Sequence, residues 1–439
     1  MLDIKYIREH IDATKRAAET KKVKVDIDAL LAADQHWREV LLRVEGMRAQ
    51  QNVASDVIAK EKDPEAKKKA IAEMRTLKES LTLLETEMTA LEEEVKTLLR
   101  LVPNIPSEDT PVGPDESGNV VIRKVGEPPT FSFPIKDHVA LGEDLGLIDN
   151  ETASKVAGAR FTYLKGSLVQ LQYALVQHVF SILTDQKIVA DILAKAHLSL
   201  PTTPFVPVAP PLMIRPEVFE RMARLEPRDE RYHIESDDLF LIGSAEHTLG
   251  PIHMDETLQE ETLPRRYAAY TPAFRREAGS YGKDMRGILR LHQFDKIEME
   301  SFCLPETSTD EQNFFVAIQE YILQSLNIPY QVMQICTGDM GGPDARQIDI
   351  ESWMPGQNRY RETHTADLMT DYQARRLNTR VKRATGETQY VHMNDGTALA
   401  IGRILIATME NNQQEDGSVL IPSVLYPYLP KGLTRLAHA

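Results

Sequence analysis

Apolar residues recur every seven positions through most of the first hundred residues. Leu30, Trp37, Val44, Gln51 and Ile58 mark one seam position, and Ala33, Val40, Met47 and Ala54 mark the second. The series breaks at Glu61-Lys62-Asp63-Pro64. It resumes as Met74, Leu81, Met88 and Val95, interleaved with Ala70, Leu77, Leu84, Leu91 and Leu98. Sustained heptads with charged outer positions predict two long helices packed as an antiparallel coiled-coil hairpin over about residues 28–100. Proline suits the first turn of the second helix. At about 1.5 Å rise per residue, each helix reaches roughly 50 Å. A hairpin of that length should project as an arm.

Past Val102 the heptads stop. Pro103, Pro106, Pro111, Pro114, Gly113 and Gly118 read as a linker. The expected organisation is therefore an arm over 1–103, a linker over 104–130 and a mixed domain over 131–439. That domain combines helices with β-type runs such as Val332–Cys336 and Ile348–Trp353. Apolar/polar alternation in these runs is weak, and no strand order follows from it.

Composition narrows the class. A 439-residue chain with 42% hydrophobic and 27% charged residues is ordinary for a soluble protein of two domains or more. No apolar run approaches the ~20 residues that cross a bilayer, and the first residues lack a signal-peptide core. Cys303 and Cys336 have no metal-like or disulfide-framework spacing, which fits a reducing cytosol. The net charge of −15 argues against nonspecific coating of nucleic acid. Residues 1–103 carry 19 Lys/Arg against 20 Asp/Glu, whereas the remainder carries 32 against 46. The arm is thus the better place to meet a polyanion. Its residues alone leave two uses open, a spacer or dimerisation rod and an RNA-binding arm. Lys60, Lys62 and Lys67-Lys68-Lys69 near the expected tip suit either a solvated turn or contacts with phosphates.

Candidate chemistry concentrates in Phe274-Arg275-Arg276-Glu277-Ala278-Gly279-Ser280, continuing to Arg286-Gly287, Arg290 and His292-Gln293-Phe294-Asp295-Lys296-Ile297-Glu298. No P-loop, strand-linked G-x-G-x-x-G or H-E-x-x-H is present, so a nucleotide would be held by side chains. Guanidinium forks match phosphate oxygens, and an aromatic ring can stack on a base. On these residues alone, an anion site and a solvated loop both stand.

The F-R-x-E-A-G-S … R-G … H-Q-F-x-K-x-E pattern resembles the second signature motif of bacterial-type seryl-tRNA synthetases. The resemblance spans essentially the whole chain, from the opening Met1-Leu-Asp-Ile-Lys5 and the heptads to Asn411-Asn412-Gln413-Gln414. It implies an α+β chain, with the antiparallel helical hairpin attached to a class II catalytic domain whose antiparallel sheet is flanked by helices. It further implies a cytoplasmic homodimer, built through the first motif at Pro210-Pro211, that binds no membrane. Such an enzyme activates L-serine with ATP and Mg²⁺ and delivers it to tRNA(Ser), with tRNA(Sec) as a further acceptor. Carried onto matching positions, Arg275 holds the α-phosphate, Arg276 and Glu277 lie along the ATP, and Glu277 meets the adenine side. Phe294 stacks on the base, with Leu291, His292 and Gln293 on the same wall. The S-A-E triplet Ser244-Ala245-Glu246 recognises the amino acid and its amino group, and Glu298 meets the serine side chain. Glu362 and Thr365 hold the metal, with Thr363 and His364 beside them in the ATP site. Arg403 clamps the γ-phosphate. Asp395 and Thr397 complete the serine pocket.

The chain departs from the family around that pocket. Ser244 replaces the usual Thr, and Asp395-Gly396-Thr397 stands where N-G-[ST] is usual. Thr363-His364-Thr365-Ala366-Asp367-Leu368 replaces a Ser- and Asn-rich run. Two rivals stay open at this level: a relative that loads a non-tRNA acceptor, and a noncatalytic RNA-binding scaffold. The retained arm speaks against the first, and Arg275, Glu277, Glu298, Glu362 and Arg403 speak against the second.

Overall fold

The structure is a computed structural model that describes residues 1–278 and 287–438. Gly279, Ser280 and Arg286 of the arginine-rich stretch lie outside the described residues. The chain forms two compact units, Met1–Ile105 and Pro106–Ala439.

The first unit is helical: α1 (Ile4–Glu9), α2 (Ile11–Thr20), α3 (Ile27–Lys60) and α4 (Pro64–Leu101). Asp26 caps α3 by accepting from the Ala29 N–H, and Asp63 caps α4 by accepting from the Ala66 N–H at 3.1 Å. Pro64 occupies the first turn of α4, where no backbone donor is needed. The expected hairpin is present, and its seam is the heptad series. Val40, Val44, Leu81 and Leu84 are buried against one another, with Met47, Met88 and Leu91 packed around them. Across the seam, Arg48 pairs with Glu85 at 2.7 Å. Toward the turn the seam thins, and Val53, Val57 and Ile71 are at least half exposed.

In the second unit, eight strands make the central sheet. They are β1 (Val120–Val125), β2 (Val206–Pro207), β3 (Arg265–Phe274), β4 (Gln293–Cys303), β5 (Tyr330–Gln334), β6 (Arg346–Met354), β7 (Arg359–Thr370) and β8 (His392–Ala400). Their order is β1-β5-β6-β7-β8-β4-β3-β2. Every pairing is antiparallel except β2 with β3. Residues 106–130 carry the prolines and glycines expected to make a linker. They belong to this unit, and β-branched Val120-Val121-Ile122 supplies its edge strand.

Helices α5 (Ser308–Ser325) and α6 (Ile401–Asn411) cover one face of the sheet. Phe314, Phe315, Ile318 and Ile322 of α5 pack with Ile404, Leu405 and Ile406 of α6 in the main core. A side chain at Gly396 of β8 would lie 2.8 Å from the Thr365 carbonyl and 3.0 Å from Phe315. That position must be glycine for α5 to close on the sheet. Its neighbours Asp395 and Thr397 therefore point the opposite way, since alternate residues of a strand face opposite sides. That opposite face carries the chemistry.

Candidate active site

Strands β3 and β4 are joined through the arginine-rich stretch, so their ends bring Arg275 beside Phe294. Arg275 Nε donates to the Gly243 carbonyl at 3.1 Å, and its guanidinium carbon lies 5.5 Å from the Phe294 ring centre. The backbone bond from Arg275 N–H to the His292 carbonyl fixes the start of this turn. Glu277 has a positive φ of 53° and pairs with Arg290. Arg160 donates to the Glu277 carbonyl.

Across the sheet, Arg403 at the start of α6 donates to the Glu362 carbonyl at 2.7 Å and pairs with its carboxylate at 3.0 Å. Arg275, Glu277, Phe294, Glu362, Thr365 and Arg403 thus line one cavity of about 130 Å³. An adjoining cavity of about 230 Å³ shares Leu291 and Phe294 and adds Gln293 and Phe161. The two together present cations, an aromatic face and apolar walls, the features that suit a nucleotide.

The residues expected to meet the amino acid lie next along the same face. Ser244 Oγ donates to Glu298 Oε1 at 2.6 Å, and Lys296 pairs with Glu298. A register shift between Ile297 and Glu298 interrupts the β4–β8 ladder here. Such bulges re-aim side chains. Thr397 lies opposite Glu298. Ala245 is fully buried and leads into a short helix starting at Glu246. His247 Nδ1 accepts from the Gly243 N–H, so Nε2 carries the ring proton and faces Glu246 at 3.3 Å. Burial pushes the His247 ring down to about 4, which keeps it neutral. Burial pushes the Glu246 carboxyl up, but Arg224 at 3.3 Å and His247 more than offset this and hold it well below the usual range.

The remaining expected residues are placed as follows. Arg276 lies over the Tyr232 ring at 5.8 Å, away from both cavities. His292 Nδ1 donates to the Arg275 carbonyl at 3.0 Å, and the ring packs on Phe161. The Thr363 hydroxyl turns to Ser352 and the Ile350 carbonyl, because a register shift between Ile350 and Glu351 displaces it in the β6–β7 ladder. His364 is fully buried beside Thr363, and burial pushes its ring down to about 3. The histidines 292, 364 and 392 are hydrogen-bonded parts of the scaffold, His392 through Ser308 Oγ at 2.8 Å. Asp395 is buried and lies 3.4 Å from Arg224.

Sequence reasoning assigned no role to Arg224, Arg290, Lys296, Glu300 or Asp344, all of which stand in or against this site. For Glu300 a signal existed. Glu298 and Glu300 alternate with Ile297 and Met299, which places two acidic side chains on one face of a largely apolar strand. Arg224 and Asp344 sit in loops without a recognisable pattern.

For a metal, the donors at hand are the Glu362 carboxylate and the Thr365 hydroxyl, the latter 3.2 Å from Asp367 Oδ2. No group of three or more His, Cys, Asp or Glu among the described residues could hold an ion unaided. An oxygen-only, incomplete donor set fits Mg²⁺, which keeps waters and takes substrate phosphates.

Residues 230–412 match the family model "tRNA synthetase class II core domain (G, H, P, S and T)". The second unit is therefore the core of a class II aminoacyl-tRNA synthetase. Residues 1–106 match the "Seryl-tRNA synthetase N-terminal domain". The serine–tRNA ligase of Citrifermentans bemidjiense is 39% identical over 98% of both chains. That of Thermodesulfovibrio yellowstonii is 39% identical over 98% of this chain and 99% of its own. Among solved structures, seryl-tRNA synthetase from Pyrococcus horikoshii complexed with ATP superposes with a TM-score of 0.89 at 35% identity, each chain covered fully. The chain belongs to the seryl-tRNA synthetase family.

Proposed function

We propose that this chain works as a cytoplasmic, homodimeric serine–tRNA ligase. It activates L-serine with ATP and loads the 3′ end of tRNA(Ser), with tRNA(Sec) as the further acceptor in the same reading. The observation that carries it is the cavity in which Arg275, Phe294, Glu362, Thr397 and Arg403 meet, with Ser244 bonded to Glu298 opposite Thr397.

In this reading Phe294 stacks on adenine, Leu291 and Gln293 wall it, and Glu277 meets its edge. Arg275 grips the α-phosphate and Arg403 the γ-phosphate. Glu362 and Thr365 would hold Mg²⁺, which neutralises phosphate charge when bound. Glu246 takes the serine ammonium, while Glu298 and Thr397 take the hydroxyl. The serine carboxylate oxygen attacks the α-phosphorus, forming the mixed anhydride and expelling pyrophosphate. A terminal ribose hydroxyl of tRNA then attacks the acyl carbon and expels AMP. The protein contributes position and fixed charge rather than covalent chemistry. The two buried cysteines suit a reducing compartment. No helix among the described residues is long and apolar enough to cross a membrane.

Serine-dependent ATP–pyrophosphate exchange tests the reading. Arg275→Ala should lower exchange by about 100-fold or more, with the melting temperature held. Near-normal exchange would remove Arg275 from the phosphate site.

A further inference from the structure

The floor of the amino-acid pocket gathers more carboxyl groups than serine can use. Asp367, Asp395 and Glu300 stand directly opposite one another on β7, β8 and β4. Cross-strand partners share a face, and the Gly396 contact with α5 shows that this face is the pocket side. Glu298, two residues before Glu300, lies on the same face. Glu246 and Asp344 close the group through their contacts with Arg224 at 3.3 and 3.6 Å. Arg224 pairs with Glu246, Asp344 and Asp395, and Lys296 pairs with Glu298.

Glu300 is the most telling member. Its side chain is fully buried, and neither carboxylate oxygen has a hydrogen-bond partner. One Asp367 oxygen is likewise without a partner. Burial pushes Glu300 well up, and Asp395, Glu246 and Glu298 add to it, so all three crowd the same space. A buried carboxyl without a partner is costly, and the missing partner is a donor or a cation. A serine hydroxyl supplies one proton and is already met by Glu298 and Thr397. An ammonium group on the ligand supplies both donors and positive charge to these carboxyls.

We infer that the amino-acid pocket admits, in addition to serine, a short L-amino acid whose side chain ends in an ammonium group, received by Glu300 and Asp395. The inference rests on the ligase reading above, because it uses the same adenylation. The α-ammonium stays on Glu246, the carboxylate attacks the α-phosphorus, and pyrophosphate leaves as before. A side chain of one or two carbons suits a pocket in which Ser244 and Glu298 are already in contact.

ATP–pyrophosphate exchange with the wild-type protein, using L-serine, L-alanine, L-2,3-diaminopropionate, L-2,4-diaminobutyrate and L-ornithine in turn, tests this. One of the two shorter diamino acids should reach a kcat/KM within about tenfold of serine and about 100-fold above alanine. Glu300→Gln and Asp395→Asn should each lower the diamino acid to serine ratio by about tenfold, since only the cation needs the charge. Exchange with serine alone overturns the inference and leaves the ligase reading standing. Exchange with no amino acid overturns the ligase reading itself. Diamino acid exchange whose ratio to serine is unmoved by both substitutions overturns the assignment to Glu300 and Asp395. The wild-type panel decides the first two outcomes even where a variant fails to fold.

Discussion

Buried titratable side chains set this protein's residue-scale chemistry, and the nucleotide site is not their only location. His178, outside the site, is nearly fully buried, and its Nε2 meets Ser325 Oγ at 2.8 Å with the Tyr428 ring 5.9 Å away. Burial pushes it down to about 4, against about 6.5 in an unfolded chain. The neutral form is therefore the folded form, and the unfolded chain takes up the proton first as pH falls. Its stability contribution is complete above pH 6.5 and is lost progressively down to pH 4. Other groups shift with pH too, Glu300 and Asp395 in the opposite sense, so the measurement must be a difference. Wild type should lose on the order of 3 kcal/mol relative to His178→Leu between pH 7 and pH 4. Denaturant unfolding of both proteins at each pH checks this. A constant difference would show that His178 titrates alike in the folded and unfolded chain.

At the scale of elements, the sheet is held in register from beneath by α5. Gln319 is fully buried, and its amide donates to the Thr365 carbonyl at 2.6 Å and the Thr397 carbonyl at 3.0 Å. Gln312 does the same for Arg346 and Ala366. Thr365 and Thr397 belong to different strands, so Gln319 fixes the spacing between the two residues proposed to meet the metal and serine. Gln319→Leu should lower kcat for exchange by about tenfold or more, since small misplacements in a catalytic constellation are costly. Circular dichroism should stay unchanged, and an unaltered kcat would show the strands hold that spacing alone. The same architecture explains what could be read without coordinates. The hairpin was legible because each seam residue meets only one partner helix, so burial follows the seven-residue period. Strand β8 is buried at every position but its ends, covered by helices on one face and by the site on the other. Alternation is erased there. The two β-type runs fell on β5 and β6, but the strand order was not legible. Roles in the site came from family motifs, whereas Arg224 and Asp344 act from loops that carry no periodic signal.

Over the whole molecule, charge and stiffness divide between the two units. The first hundred residues are nearly neutral while the remainder carries 14 excess negative charges, 46 against 32. An RNA partner is repelled on average by such a surface, so its affinity needs a dedicated site. We propose that the long helices, with Lys60, Lys62 and Lys67-Lys68-Lys69 about their turn, supply one. Deleting residues 28–100, with a short linker closing the gap, should leave serine activation largely intact, because the second unit has its own core and holds every site residue. Charging of tRNA should fall steeply, and the salt dependence of tRNA binding should flatten as fewer phosphates are neutralised. Full charging by the armless protein would return the hairpin to a spacer. In a homodimer, we propose that each arm presents tRNA to the partner's site, and a mixed dimer tests this. One subunit lacks the arm and keeps Arg275; the other keeps the arm and carries Arg275→Ala. Presentation across the dimer predicts charging, because the inactive subunit's arm serves the intact site. Silence in that heterodimer, with both homodimers inactive in charging and the armless one active in exchange, would mean that each arm serves its own subunit.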